Sequence, residues 1–324
     1  LQPESQPAAT TSSAHAPDAP PKSRQRARVH ERNTLNDLTG REWIKATKSW
    51  LICDSKRYHR NRNTELHPAR YPEELVAEFL RFFTKSGAWV LDPFCGSGAT
   101  LVACLEEGRR GVGIEISPQY AAMARRRLPR IEGSQQVAVI EADARRLAEP
   151  GLWAGDGPGR PHIEGLPLGD DGLPRFDFIM TSPPYWDMLG KSRGGVQSNH
   201  KQRAEAGLDT DYGDVEGNLE AVGDYGEFIE QLGGVFDECA RLLALGKYLV
   251  VVAQNVRVPE GHVRPLAWDL ARRIGRTLSF QGERIWCQDS KKLGIWGYPT
   301  TFVPNYHHHY CLVFRRLAQS ERTA

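Results

Sequence analysis

The strongest constraint on this chain is an alternation. Short apolar runs at Ala88-Trp-Val-Leu91, Gly111-Val-Gly-Ile114, Val137-Ala-Val-Ile140, Phe176-Asp-Phe-Ile-Met180 and Tyr248 to Ala253 are separated by segments of helical period. Runs that are short and apolar throughout read as strands buried on both faces. Strands alternating with helices are parallel, because each crossover returns the chain to the same end of the sheet. The expected helices are Pro72 to Phe83, Ala99 to Glu107 (ended by Gly108), one running through Leu128, Tyr225 to Leu245 and Pro265 to Ile274. Two last strands, Gly282 to Cys287 and Tyr310 to Phe314, have no helix between them and predict an antiparallel hairpin. The expected fold class is α/β, a doubly wound and mostly parallel sheet of seven strands ending in that hairpin.

Composition sets the boundaries. Residues 1–32 hold Pro, Ala, Ser, Thr and Gln, then a basic cluster of Lys22, Arg24, Arg26, Arg28 and Arg32; they cannot bury a core and predict a disordered basic tail. One domain is expected over 33–317, with a short tail over 318–324. Thr39-Gly-Arg-Glu42 fits a capping box, opening a helix whose Trp43, Ile44, Thr47, Trp50 and Leu51 share one face, read as core. Residues 149–175, dense in Gly and Pro, read as a surface insertion. Residues 186–223 leave directly from a proline-rich loop and carry Lys191, Arg193, Lys201 and Arg203, which marks them as a functional loop. Basic and acidic residues nearly cancel, 42 against 40, so any basic surface must be local. Six cysteines without Cys-x-x-Cys spacing, and no apolar run of membrane-span length or signal-peptide core, predict reduced thiols in a soluble cytoplasmic protein.

Chemistry concentrates where the strands end. The first strand runs into Asp92-Pro-Phe-Cys-Gly96-Ser-Gly98, whose glycines let backbone approach a ligand. Leu101 stands where a dinucleotide fingerprint needs its third glycine, and no Gly-Lys-Ser/Thr follows. A carboxylate at the loop entrance also disfavours phosphate and suits a cationic ligand. The second strand ends at Glu115, positioned to accept from ribose hydroxyls, and the third at Glu141-Ala-Asp143, where a carboxylate can hold an adenine amino group. Each acid alone also reads as a turn residue or helix cap. Three together at one sheet edge outline a pocket for a phosphate-free, positively charged adenosine, which S-adenosyl-methionine fits. The fourth strand ends in Thr181-Ser182-Pro183-Pro184-Tyr185. Two prolines fix φ and remove donors, presetting the Ser182 hydroxyl and Pro183 carbonyl as acceptors beside an aromatic ring.

Together these segments resemble the DNA amino-methyltransferase family, which methylates N4 of cytosine or N6 of adenine. His67-Pro-Ala-Arg-Tyr-Pro72 is similar to the segment that closes over the methionine end of the cofactor. Ile285-Trp286, Gly294-Ile-Trp-Gly297 and Tyr310-Cys-Leu-Val-Phe314 are similar to its terminal strand pair. The resemblance covers roughly residues 33–316 and implies a Rossmann-like methyltransferase sheet that binds S-adenosyl-methionine. It assigns His67, Pro68, Tyr71, Asp92, Phe94, Cys95, Gly96, Gly98, Glu115, Ile116, Asp143 and Ala144 to the cofactor, and Ser182, Pro183, Pro184 and Tyr185 to catalysis, with the flipped base stacked on Tyr185. Lys191, Arg193, Lys201 and Arg203 are assigned to DNA, with the hairpin loop 288–306 as a second source of recognition. Serine before Pro-Pro-Tyr is commoner in cytosine N4 enzymes, so N4-methylcytosine is the favoured product and a cognate restriction endonuclease a possible partner. Adenine N6 methylation, guanine N2 methylation of RNA and a catalytically idle nucleic-acid-binding subunit are the alternatives.

Three further features have bland readings. His307-His-His309 lacks metal-ligand spacing, so no metal is expected. Lys56-Arg-Tyr-His-Arg60-Asn-Arg62 reads equally as a phosphate contact or a solvated loop, and Arg125-Arg-Arg127 reads as a solvated helix face. Carbon-5 cytosine methylation is excluded because no cysteine stands in a Pro-Cys context.

Overall fold

A computed structural model describes residues 28–53, 71–128, 136–155, 163–186, 219, 222–258, 261–291, 293–318 and 321. Its helices are α1 (Gly40–Ala46), α2 (Glu73–Phe83), α3 (Ala99–Glu106), α4 (Pro118–Arg127), α5 (Pro150–Trp153), α6 (Tyr225–Leu242) and α7 (Leu266–Ile274). The strands are β1 (Trp50–Ile52), β2 (Trp89–Asp92), β3 (Arg110–Glu115), β4 (Val137–Glu141), β5 (Phe176–Thr181), β6 (Leu243–Ala253), β7 (Val256–Arg257), β8 (Val263–Arg264), β9 (Ser279–Cys287) and β10 (His308–Arg315).

The main sheet has the order β1-β9-β10-β6-β5-β2-β3-β4. Within it β10 runs antiparallel to both neighbours and the other pairs are parallel. The doubly wound fold with an antiparallel hairpin is therefore present, but with eight strands instead of seven. The extra one is β1, which pairs Trp50 to Ile52 with Ile285 to Cys287. This also corrects the reading of the first helix. The capping box forms as expected, yet α1 stops at Ala46. Trp43 packs on Phe82 at 5.0 Å, whereas Ile44 and Trp50 are exposed. A strand takes over because the edge of β9 offers ladder partners, a tertiary opportunity that helical periodicity does not register.

Side chains alternate across the strands into two layers, as a sheet covered on both faces requires. In β6, Leu249, Val251 and Ala253 join the core beneath α6 and α7, while Val250 and Val252 join the one beneath α2. β6 also begins five residues before the expected Tyr248, because Leu243 pairs with Phe176 and ends α6 there. The described parts of the 149–175 stretch reach the core: Leu152 and Leu173 are buried, and Trp153 lies 5.8 Å from the Phe176 ring. All six cysteines are free thiols. Among the described residues no helix is long and apolar enough to cross a membrane.

Chain order reverses between β2 and β5, since β3 and β4 extend the sheet on one side and β6 on the other. Ligands of open α/β sheets bind at such a switch, outside the carboxyl ends of the strands. Close packing under this edge depends on Gly113, where a Cβ would fall 2.7 Å from both Cβ and Sγ of Cys95. Cys95 cannot retreat freely, because its N–H donates to the Ile114 carbonyl at 2.9 Å. Gly113→Ala is expected to cost about 1–3 kcal/mol through overpacking, read as a lower urea midpoint with an unchanged slope.

Candidate active site

The site is organised by one carboxylate. Asp92, at the end of β2, is 1% exposed and accepts four hydrogen bonds. Oδ1 takes the Thr181 hydroxyl at 2.6 Å and the Phe94 N–H at 3.1 Å, while Oδ2 takes the Tyr71 hydroxyl at 2.9 Å and the Thr100 hydroxyl. Burial pushes its carboxyl up and the four donors oppose that shift. Sequence reading offered Asp92 to a cationic ligand directly. Its side chain instead ties β2, β5, α3 and the segment before α2 together, so it shapes the pocket and presents little surface of its own.

The glycine loop follows. Gly96 and Gly98 both have positive φ, 51° and 81°, a region a side chain resists, and Gly98 opens α3. Cys95 is buried and Phe94 half-buried, the latter 6.5 Å from Phe236. The loop is held from outside by Arg127, which donates to the Ser97 carbonyl and pairs with Glu73 at 2.7 Å. That corrects the reading of Arg125-Arg-Arg127 as a solvated face: Arg125 also reaches the Val139 carbonyl at 3.2 Å.

Glu115 ends β3 at 7% exposure. Its carboxylate accepts from the Gly96 N–H at 2.8 Å and the Ser117 N–H at 2.9 Å, and burial pushes its carboxyl up to about 7. Two backbone donors do not saturate a carboxylate, so it retains capacity for hydroxyl donors. Ile116, next in the chain, is half-buried. Asp143 is more committed: it caps a short 3-10 turn by accepting from the Arg145 N–H at 2.9 Å and pairs with the Arg145 guanidinium at 2.5 Å. Ala144, inside that turn, is buried.

Across the switch, Thr181 anchors the proline loop to Asp92. Tyr185 is 7% exposed, so the open aromatic face expected for a stacking base is closed in this conformation. The ring acts through its hydroxyl, which donates to the Val252 carbonyl at 3.2 Å and lies 3.1 Å from Ser182 Oγ. The single phenolic proton is spent on a carbonyl that can only accept, so the Ser182 hydroxyl donates to Tyr185. The Ser182 lone pairs are thereby left to accept. Pro183 is buried and Pro184 half-buried.

His67, Pro68, Lys191, Arg193, Lys201 and Arg203 lie outside the described residues, as do Lys56 to Arg62 and the basic cluster before Arg28. In the hairpin loop, Asn305 accepts from the Gly294 N–H and the Trp296 indole, bracing a tip on which Ile295, Trp296, Tyr298 and Phe302 are exposed. Sequence reading missed the Thr100 and Thr181 hydroxyls as partners of Asp92, and the Arg127 clamp. Threonine at a strand end was the only available signal for Thr181.

Residues 6–126 match the model of the N6_N4_Mtase family, described as DNA methylase. The chain is 47% identical over 62 residues to the Type II methyltransferase M.Cfr9I of Citrobacter freundii, covering 19% of this chain and 21% of that protein. It is 44% identical over 62 residues to the Type II methyltransferase M2.DpnII of Streptococcus pneumoniae, covering 19% and 23%. The alignments thus span about a fifth of the length of these relatives. A solved methyltransferase from Pyrococcus furiosus covers 82% of this chain and 95% of its own, at 16% identity and a TM-score of 0.43.

Glu115 generates a pH prediction. Its folded pKa is raised from 4.5 to about 7, so the folded state holds the proton more tightly than the unfolded chain. Its contribution to stability is therefore complete below about pH 4.5 and lost as pH rises through about 7. Between pH 5 and 8 the unfolding free energy of the parent should fall relative to Glu115→Gln by about 2–3 kcal/mol in denaturant titrations.

Proposed function

We propose that this chain belongs to the DNA amino-methyltransferase family that its N-terminal part resembles, and that it transfers a methyl group from S-adenosyl-methionine to the exocyclic N4 amine of a cytosine flipped out of DNA. The observation that carries the reading is the Val252–Tyr185–Ser182 relay, which fixes the serine hydroxyl as an acceptor beside two prolines. A base amine is a poor nucleophile because its lone pair is delocalised into the ring. Acceptors that draw its N–H groups off the ring plane favour the pyramidal form that attacks, and acceptors fixed beforehand cost no reorganisation.

S-adenosyl-methionine, when bound, supplies a methyl group activated by its sulfonium. Glu115 fits this ligand because its carboxylate has room for the two ribose hydroxyls. Gly96 and Gly98 let the loop backbone approach, while Asp143 would share its carboxylate between Arg145 and an adenine amino group. Ser182 and the Pro183 carbonyl hold the target amine while it gains the methyl group and gives up a proton to solvent; no covalent bond to the protein forms. The chain's part is mainly proximity and orientation. Tyr185 serves first as the buttress of Ser182, and a base stacking on its ring requires the loop to open. Lys191, Arg193, Lys201, Arg203 and the 288–306 loop are the DNA contacts in this reading. In this reading His67 and Pro68 would contact the cofactor, and a cognate restriction endonuclease is the proposed partner. Adenine N6 is the second reading, because the same acceptors serve either amine.

Incubation with labelled S-adenosyl-methionine and duplex DNA, single-stranded DNA or RNA, followed by nucleoside analysis, should yield N4-methylcytosine in DNA. N6-methyladenine would select the second reading, whereas N2-methylguanine in RNA or no transfer would overturn both. Ser182→Ala should lower kcat about 100-fold or more while leaving cofactor affinity within about threefold.

A further inference from the structure

The sheet order divides the site into two halves. β2, β3 and β4, with Asp92, Glu115 and Asp143 at or just beyond their ends, lie on one side of β5, and β6, β10 and β9 lie on the other. With the cofactor over the first half and the proline loop at β5, the target base belongs over the second. β10 enters the sheet at this edge, since it runs antiparallel to β6 with Tyr310 opposite Ala253. His309 therefore stands beside the catalytic loop, its ring centroid 6.4 Å from that of Tyr185.

The His309 ring is fixed but chemically unspent. It stacks on Trp286 at 4.6 Å and 25°, and Trp286 is itself 3% exposed and anchored by donation from its indole to the Cys53 carbonyl at 2.8 Å. Yet His309 Nδ1 is buried with no hydrogen-bond partner. Buried polar atoms are almost always paired, so an orphan on a braced ring calls for a partner that arrives later. Burial, reinforced by Lys291 and by the neighbouring His308, drives the imidazole down to about 3, so it is neutral at working pH. Lys291 is itself spent on the Tyr306 carbonyl at 2.8 Å. A neutral imidazole offers one donor and one acceptor.

We propose that His309 is a base-contacting residue, donating its Nδ1–H to the ring nitrogen next to the target amine while Ser182 and Pro183 hold the amine itself. In cytosine that nitrogen is N3. The inference rests on the reaction proposed above but not on the choice of base, because adenine presents N1 in the same relation. His309 sets the angle of the ring, Ser182 the geometry of the nitrogen, and Trp286 keeps the imidazole from turning away.

Two substitutions in the full chain separate the contact from the stack. His309→Phe keeps a ring on Trp286 and removes both nitrogens, whereas His309→Gln keeps a donor and loses the stack. Cofactor affinity in both should stay within about threefold of the parent. His309→Phe should lower kcat/KM for DNA about tenfold or more, and His309→Gln should recover part of that loss. Parent-like kcat/KM in His309→Phe would overturn the proposal, and so would a loss matched by weaker cofactor binding. If the parent methylates no DNA, the reaction assignment fails. The 15N resonance of His309 Nδ1 on adding duplex DNA still decides the contact: a shift upholds it and an unmoved resonance removes it.

Discussion

The hydrogen bonds converging on the Asp92 carboxylate are the constraint on which the rest of the site depends. A buried carboxylate is costly to desolvate, and its cost is met only when donors surround it. Here those donors come from Tyr71, from Phe94 and Thr100 in the stretch that follows Asp92, and from Thr181, three pieces of chain. Hydrogen bonds to a charged group are worth about 1.5–3 kcal/mol each, so no single element can leave without exposing the others to the desolvation cost. The knot sits where chain order reverses, between β2 and β5, and it fixes the glycine loop against the proline loop.

From that point polar roles pass outward in sequence. Thr181 is spent on Asp92, so the next hydroxyl, on Ser182, is the first one outside that knot. Its proton goes to Tyr185, whose own proton goes to the Val252 carbonyl of the adjacent strand. The same economy governs Glu115, held by two backbone donors and left with capacity, in contrast to Asp143, largely consumed by Arg145. Three strand-end acids that look alike in sequence thus divide into an organiser, a receptive acceptor and a helix cap.

Much of this was legible beforehand, for identifiable reasons. β2 to β6 are built around short apolar runs because both faces are covered, and the Thr39–Glu42 capping box is a local interaction that needs no distant partner. The pairing of Ser182 with a rigid Pro-Pro turn likewise follows from residues adjacent in the chain. Readings that depended on a distant partner fared differently. Trp50 and Leu51 fit a helical face, but β9 offered a ladder and made them a strand. Leu243 fits the end of a helix, yet Phe176 recruited it into β6. Arg127 carries no sequence mark of its structural role, which the approach of Ser97 and Glu73 gives it.

The sequence by itself determined the periodicities, the strand ends and the residue types placed there, because these rest on backbone geometry and on neighbours within a few residues. It thereby determined the doubly wound class and which loops meet at one edge. Only the tertiary structure decided how each polar group is spent. Local neighbours such as Arg145 and Ser117 contribute, but the saturation of Asp92 by Thr181, 89 residues away, and the commitment of the Tyr185 hydroxyl to Val252, 67 residues away, are set by atoms that only the fold brings together.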